Sequence, residues 1–246
     1  MLRLYRSLLR PCPGKVLCCS AQHTSATYLQ SFILHNTEVV TEHLTPEIQL
    51  LLLTPRCKFW HLRPEHWPYG DPYWAIYWPG GQALARYLLD NPDIVRRRRI
   101  LDLGSGCGAA SIAAKMKGAS YVVANDIDPV AGAAFGLNCQ LNRIDPLPFH
   151  PENVIGEDTG CWDLIVLGDM FYDERLANSL HRWLRHCMVQ HGTTVLIGDP
   201  GRGHFLTHPI QKQLWKIAEY NLPESSKQEN YGLTTSAVWR YEPGCS

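Results

Sequence analysis

The chain has 246 residues, 45% of them hydrophobic, enough for one α/β domain with a substantial core plus a short extension. Its 23 Lys+Arg match 23 Asp+Glu, and setting aside four amino-terminal basic residues leaves 19 against 23, about four net negative charges that argue against an electrostatic grip on nucleic acid. No window approaches the length of a membrane span, and nine cysteines without a C-x-x-C pair fit neither a disulfide framework nor a zinc site.

From Met1 to Thr37 there is no Asp or Glu, while Arg3, Arg6, Arg10 and Lys15 are interleaved with Leu, Ser and Thr. That is the composition of a mitochondrial transit peptide, expected over residues 1–37; Arg10, Pro11, Pro13 and Lys15 interrupt the apolar core a secretory signal needs. The cysteines then read as reduced thiols in a matrix-like compartment. Residues 38–98 are expected to form a helical and aromatic cover. In it, Thr45-Pro46-Glu47 has the form of a helix start, which predicts a short helix over Ile48 to Leu53. Between Trp60 and Trp78 the chain gathers Trp67, Tyr69, Tyr73, Trp74 and Tyr77 among prolines and glycines, an irregular cover for a sheet edge with core packing as their expected role. Gly81 to Asp90 reads as a helix with Ala83, Leu84, Tyr87 and Leu88 on one stripe, and Arg96 to Arg99 as a solvated turn.

Residues 99–246 read as the core. Ile100 to Ala109 is an apolar strand with an internal Asp102, then three alternating glycines, Gly104, Gly106 and Gly108, entering a small-residue helix. A backbone this bare admits close approach by a ligand. The helix Ala110–Lys117, stopped by Gly118, and the strand Tyr121–Ala124 complete a βαβ unit. That strand runs into Asn125-Asp126-Ile127-Asp128-Pro129, which presents Asp126 at the carboxyl edge of the sheet, where open α/β folds bind ligands. A ribose-bearing ligand is expected there. Asp128 is expected to cap the next helix, Ala131 to Leu141. The same glycines also fit the dinucleotide pattern G-x-G-x-x-A, with Asp126 at the spacing of a ribose-binding acid. Further on, the pattern predicts a strand around Pro148 to Ile155, a central strand Asp163–Leu167, a helix Glu174–His191, a strand Thr194–Gly198, a helix Pro209–Tyr220 and a terminal strand Leu233–Tyr241. Alternating strand and helix predict a doubly wound, mostly parallel sheet.

The runs Leu101-Asp-Leu-Gly-Ser-Gly-Cys-Gly108, Asn125-Asp-Ile-Asp-Pro129 and Asp169-x-x-Tyr172 together resemble the seven-β-strand, S-adenosylmethionine-dependent protein lysine methyltransferases. The stretches Thr45-Pro-Glu-Ile-Gln-Leu50, Asp71-Pro-Tyr-Trp-Ala-Ile-Tyr-Trp-Pro-Gly-Gly81 and Ile197-Gly-Asp-Pro-Gly-Arg202 extend the likeness over nearly everything after residue 40.

The resemblance implies a class I, Rossmann-like methyltransferase fold with an antiparallel terminal hairpin, and S-adenosylmethionine as cofactor. Asp102 and the backbone of Gly104 to Gly108 would face the methionine end of that cofactor, though Asp102 equally suits a buried acid that ties the loop. Asp126 would take both ribose hydroxyls, a diol matching two carboxylate oxygens. Asn153 would meet the adenine, or form a turn. Trp78 would lie against the cofactor. Asp169 and Tyr172 would hold a lysine; a helix cap near Asp173 is the competing role for Asp169. No metal is needed, because a sulfonium carries its own leaving group. The implied substrate is a protein, lysines in the recognition loop of the electron transfer flavoprotein β subunit in the mitochondrial matrix, met by a monomer that engages neither nucleic acid nor membrane. Methyl transfer to a ribosomal protein or small molecule, and a non-catalytic scaffold for the flavoprotein, are the alternatives.

Overall fold

In a computed structural model, residues 19–62, 66–158, 160–229 and 232–244 are described. The amino-terminal half of the expected leader, residues 1–18, lies outside them. Residues 19–36 form helix α1 (Cys19–Asn36), whose Ile33 is fully buried. Strands β1 (Glu38–Val40) and β2 (Leu50–Leu52) pair antiparallel, followed by α2 (Pro79–Asp90), β3 (Arg99–Leu103), α3 (Ala109–Met116), β4 (Tyr121–Asn125), α4 (Pro129–Leu141), β5 (Phe149–His150) and β6 (Leu164–Gly168). Then come α5 (Glu174–His191), β7 (Thr194–Asp199), α6 (Gly203–Thr207), β8 (Leu214–Asn221), α7 (Glu224–Glu229) and β9 (Thr235–Tyr241).

Seven strands form one sheet in the order β5-β4-β3-β6-β7-β9-β8, the first five parallel and the last two antiparallel to their neighbours. Side chains alternate across a strand, so each face meets its own helix layer. Ile100, Val122, Leu164 and Leu196 pack with α2 and α3, whereas Leu101, Val123, Ile165 and Val195 pack with Leu180, Trp183 and Leu184 of α5. Parity places Asp102 on the α2–α3 face, one residue short of the loop. Burial on both faces makes β6 and β7 almost continuous apolar runs, as buried parallel strands require.

Three secondary-structure expectations need correction. The run Ile48–Leu53 is not a helix: Thr45 to Ile48 closes a turn (Ile48 N to Thr45 O, 2.9 Å) and Leu50–Leu52 is strand β2. An uninterrupted apolar run does not distinguish the two periods. The helix expected over Pro209–Tyr220 is a short 3-10 turn, Pro209–Gln213, followed by β8. A register shift between Lys216 and Ala218 leaves Ile217 unpaired, and this bulge erases the alternation that would have marked a strand. The strand expected over Pro148–Ile155 contracts to Phe149–His150.

The aromatic cover is irregular, as anticipated, but it sits on α4 rather than on the sheet edge. Trp74 and Ala75 are buried with Val130, Ala131 and Ala134 of α4 and Ile33 of α1. Tyr77 is likewise buried, while Tyr69 and Tyr73 stand exposed and are not core. Arg96 and Arg97 lie in a surface turn, Arg97 taking φ +62°, whereas Arg99 already opens β3, with its guanidinium 5.4 Å over Trp162. Cys57, Cys107, Cys139, Cys161 and Cys187 are free thiols. Among the described residues, no helix is long and apolar enough to cross a membrane, and no cluster of side chains is suited to a metal ion.

Candidate active site

The carboxyl ends of β3, β4, β6 and β7 each carry an acid at or just past the strand, namely Asp102, Asp126, Asp169 and Asp199. Two half-sites follow. At the first, Gly104, Gly106 and Gly108 adopt φ +65°, +51° and +80°, a region costly for any residue with a Cβ. A Cβ on Gly104 would strike Met170 Sδ and one on Gly108 would strike Phe135, whereas one on Gly106 would meet nothing within 4 Å. The loop therefore packs through its first and last glycines and turns its middle one toward open space.

Asp102 is buried and ties this loop down: its Oδ2 accepts from Ser111 N (2.9 Å) and Ser111 Oγ (2.7 Å). Burial pushes its carboxyl up to about 6 against the pull of those two bonds. The tying role is thus real, on the same side chain expected to face a cofactor. Asp126 is half-buried, its Oδ2 accepting from Gly106 N (2.9 Å) and its Oδ1 from Asp128 N (3.0 Å). Each oxygen keeps a lone pair, so the carboxylate is aimed yet able to accept from a diol. Asp128 caps α4 through Val130 N, as expected. Asn138 of α4 joins the loop to the cover: Nδ2 donates to Cys107 O (2.9 Å) and Oδ1 accepts from Leu51 N (2.8 Å). Asn153 is exposed and closes a turn onto Ile155 N (3.0 Å), the turn-forming alternative. The buried Ser105 Oγ has no hydrogen-bond partner among the described residues. An open glycine backbone, an aimed carboxylate and an orphaned hydroxyl fit the methionine and ribose parts of S-adenosylmethionine.

The second half-site lies where α2 meets β6 and β7. Gly80, Gly168 and Gly198 bring these backbones together: a Cβ on Gly80 would clash with Gly198 O, and one on Gly168 with Gly81 N. That proximity puts Asp169 at the amino terminus of α2, where Oδ2 accepts from Gly81 N at 3.1 Å in the favourable field of the helix dipole. Asp169 holds φ +58°, rare for a residue with a side chain, and its N–H donates to Gly198 O (2.9 Å). It caps α2 in this sense; the cap of α5 is Asp173, which accepts from Leu176 N.

Two residues here went unassigned in the sequence. Arg202 donates to Asp169 Oδ1 from Nη2 (2.8 Å) and Nε (3.2 Å), and its guanidinium lies 5.3 Å over the Trp78 ring. Asp199, only 1% exposed, accepts from Gly201 N (2.7 Å) and Arg202 N (2.8 Å) through Oδ1, while Oδ2 is buried without a hydrogen-bond partner among the described residues. Burial, with the Asp169 charge behind it, pushes the Asp199 carboxyl up to about 7. Burial also raises Asp169, and Arg202 and the α2 backbone pull it back. Trp78, half-buried at the start of α2, donates Nε1 to Tyr73 O (3.0 Å). Tyr172 is 60% exposed; partial burial, then the charges of Asp126, Asp173 and Tyr73, raise its phenol. It therefore lies within electrostatic reach of Asp126. The signal for Asp199 was legible as one more acid closing a parallel strand, followed by Pro200-Gly201; Arg202 carried no local signal.

Strand order, glycine loop and the acid after β4 define a class I methyltransferase. The ribosomal protein L11 methyltransferase family model matches residues 83–168. A Pyrococcus horikoshii protein described provisionally as an RNA methyltransferase shares the fold at TM-score 0.50, with 15% identity over 76% of this chain and 95% of that one. Electron transfer flavoprotein β-subunit lysine methyltransferases are 66% identical in Xenopus laevis, over 90% of each chain, and 62% identical in Homo sapiens, over 87% of this chain and 82% of that one. A Caenorhabditis elegans homologue is 38% identical over 85% of this chain and 93% of that one. The chain belongs to this family of lysine methyltransferases, enzymes that use S-adenosylmethionine to methylate protein lysine.

Proposed function

We propose that the chain methylates lysines in the recognition loop of the electron transfer flavoprotein β subunit, in the mitochondrial matrix. What supports the substrate is the relatives' shared name at 58–66% identity; what supports the compartment is the acid-free amino terminus with its four basic residues. The observation that carries the chemistry is the placement of Asp169, fixed at the amino terminus of α2 beside the strand tips that hold Asp126 and the glycine loop. Cofactor and amine would then share one sheet edge.

In this reading, when bound, S-adenosylmethionine supplies a methyl group on a sulfonium, so the protein contributes position and electrostatics. The backbone of Gly104 to Gly108 and Asp102 line the methionine end. Asp126 takes the ribose hydroxyls, Asn153 borders the adenine and Trp78 lies alongside. Asp169 accepts a hydrogen bond from the incoming lysine, and exposed Tyr172 offers its ring face or hydroxyl to the same nitrogen. The exposed Tyr69, Tyr73 and Ile127 would form part of the rim that meets the folded substrate. Methylation enlarges the lysine head without removing its charge, which would loosen docking of the flavoprotein to its dehydrogenase partners. The enzyme works as a monomer, and the leader ends before the packed part of α1.

The test is mass spectrometry of recombinant β subunit incubated with the full chain and methyl donor. Gains of about 14 Da per methyl on recognition-loop lysines are expected, and loss of turnover with retained cofactor affinity in Asp169→Ala. An unmodified subunit refutes the substrate.

A further inference from the structure

A carboxylate is an awkward lysine holder for this reaction. It favours the ammonium form, whereas only the free amine has the lone pair that attacks. The substrate nitrogen must first give a proton to water; it then forms the N–C bond as the C–S bond breaks, with that electron pair left on sulfur.

We propose that Arg202 is a positioning residue that cancels the charge of Asp169, so that this carboxylate accepts a hydrogen bond from the lysine as free amine instead of holding it as ammonium. The inference rests on the lysine-methylation reading above. The guanidinium is held by two bonds to Asp169 Oδ1 and by the Trp78 ring beneath it, and the main chain of Arg202 by its N–H bound to Asp199 Oδ1. A side chain so fixed is part of the site rather than a mobile plug. Arg202 occupies both lone pairs of Oδ1 and Gly81 N takes one of Oδ2, so Asp169 keeps its spare acceptor site on Oδ2 while its charge is spoken for. Arg suits this task because it never titrates in the working range.

The groups facing the pair enter the balance. From β7 comes Asp199, which with a value near 7 holds its proton in acid and ionises through neutrality. α2 contributes the N–H groups of Gly80 and Gly81 and the Trp78 ring. Tyr172, beyond β6, stands toward Asp126. Asp169 and Arg202 sum to no net charge, and Asp199, as it ionises above neutrality, adds the same negative charge to wild type and Arg202 variants alike.

The test is the pH profile of methylation of recombinant flavoprotein β subunit at saturating donor, over about pH 6 to 10, with S-adenosylhomocysteine calorimetry as a control for folding. Arg202→Gln should move the acid limb up by about one unit, roughly tenfold slower at neutral pH and recovering in alkali. Arg202→Lys, which keeps the charge, should return the limb most of the way to its wild-type position. If Arg202→Gln fails to fold, the doubly neutral Asp169→Asn/Arg202→Gln, which leaves no charge to cancel, should keep the acid limb of its residual turnover near the wild-type position, and a limb displaced by about one unit would overturn the proposal. Equal slowing at every pH would assign Arg202 to packing alone, and faster turnover at neutral pH would make it an obstruction; either overturns the proposal. A wild-type chain that leaves the subunit unlabelled while binding S-adenosylhomocysteine sinks the substrate reading and this inference together, an outcome distinct from an active wild type whose variants share its limb.

Discussion

Asp169 and Asp199 are neighbours across the tips of β6 and β7: each follows one member of the pair Gly168 and Gly198, and Asp169 N donates to Gly198 O at 2.9 Å. Two buried carboxyls so placed face a single guanidinium. The folded state therefore holds the Asp199 proton, at about 7, far longer than an unfolded chain, whose Asp titrates near its ordinary 3.8. Between those values the folded state binds more protons, so stability contributed by this group is present below pH 4 and lost as pH rises toward 7. Asp199→Asn abolishes that loss. Its melting temperature relative to wild type should rise between about pH 4 and 8, and a flat difference across that range would refute the assignment.

Gly106→Ala separates binding from folding. Open space around that Cβ leaves only the strain of φ +51°, about 1–2 kcal/mol, so the variant should fold with a modestly lowered melting temperature. S-adenosylhomocysteine affinity should fall sharply, because the added methyl points where the ligand would lie. Calorimetry on the folded variant with unchanged affinity would place the cofactor elsewhere.

Asp126→Asn keeps the shape of the side chain but loses the anionic acceptor. Hydrogen bonds to charged groups are worth about 1.5–3 kcal/mol, so cofactor affinity should drop roughly 10- to 100-fold. Calorimetric titration of both proteins measures it directly.

Asn138→Ala tests the tie between cover and loop. It strands Leu51 N–H and Cys107 C=O in the interior, at about 1–3 kcal/mol each. Urea unfolding should show a lowered midpoint at unchanged slope.

Tyr172→Ala should slow methylation of the protein substrate by roughly 3- to 30-fold, the span of about 0.5–2 kcal/mol for a cation over an aromatic face. Tyr172→Phe should recover most of that rate if the ring face is what matters, and cofactor affinity should stay unchanged in both.

Local chemistry wrote much of this fold openly. The strand, the glycine loop and the helix around Asp102 share one βαβ unit, and α5 spans Glu174–His191 as its period indicated. Asp126 was visible because a strand delivers it straight to the sheet edge. What stayed hidden depends on long-range contact. Arg202 reads as a turn residue until the Gly80–Gly198 approach brings α2 over β7, and β8 hides behind a bulge at Ile217. The roles of Trp74 and Tyr73, one buried on α4 and one exposed, likewise depend on a partner surface no local pattern encodes.

At Gly80, Gly168 and Gly198 the main chain of α2 rests on that of the strands with no side chain between. Rotamers cannot absorb an intruding methyl group there, so even alanine would wedge the helix outward and carry the Gly81 amide away from Asp169. The glycine loop at Gly104 to Gly108 would be spared, leaving a molecule that still captures the donor yet has lost its grip on the acceptor. Affinity for the two reactants can thus drift apart through single-methyl changes at one seam.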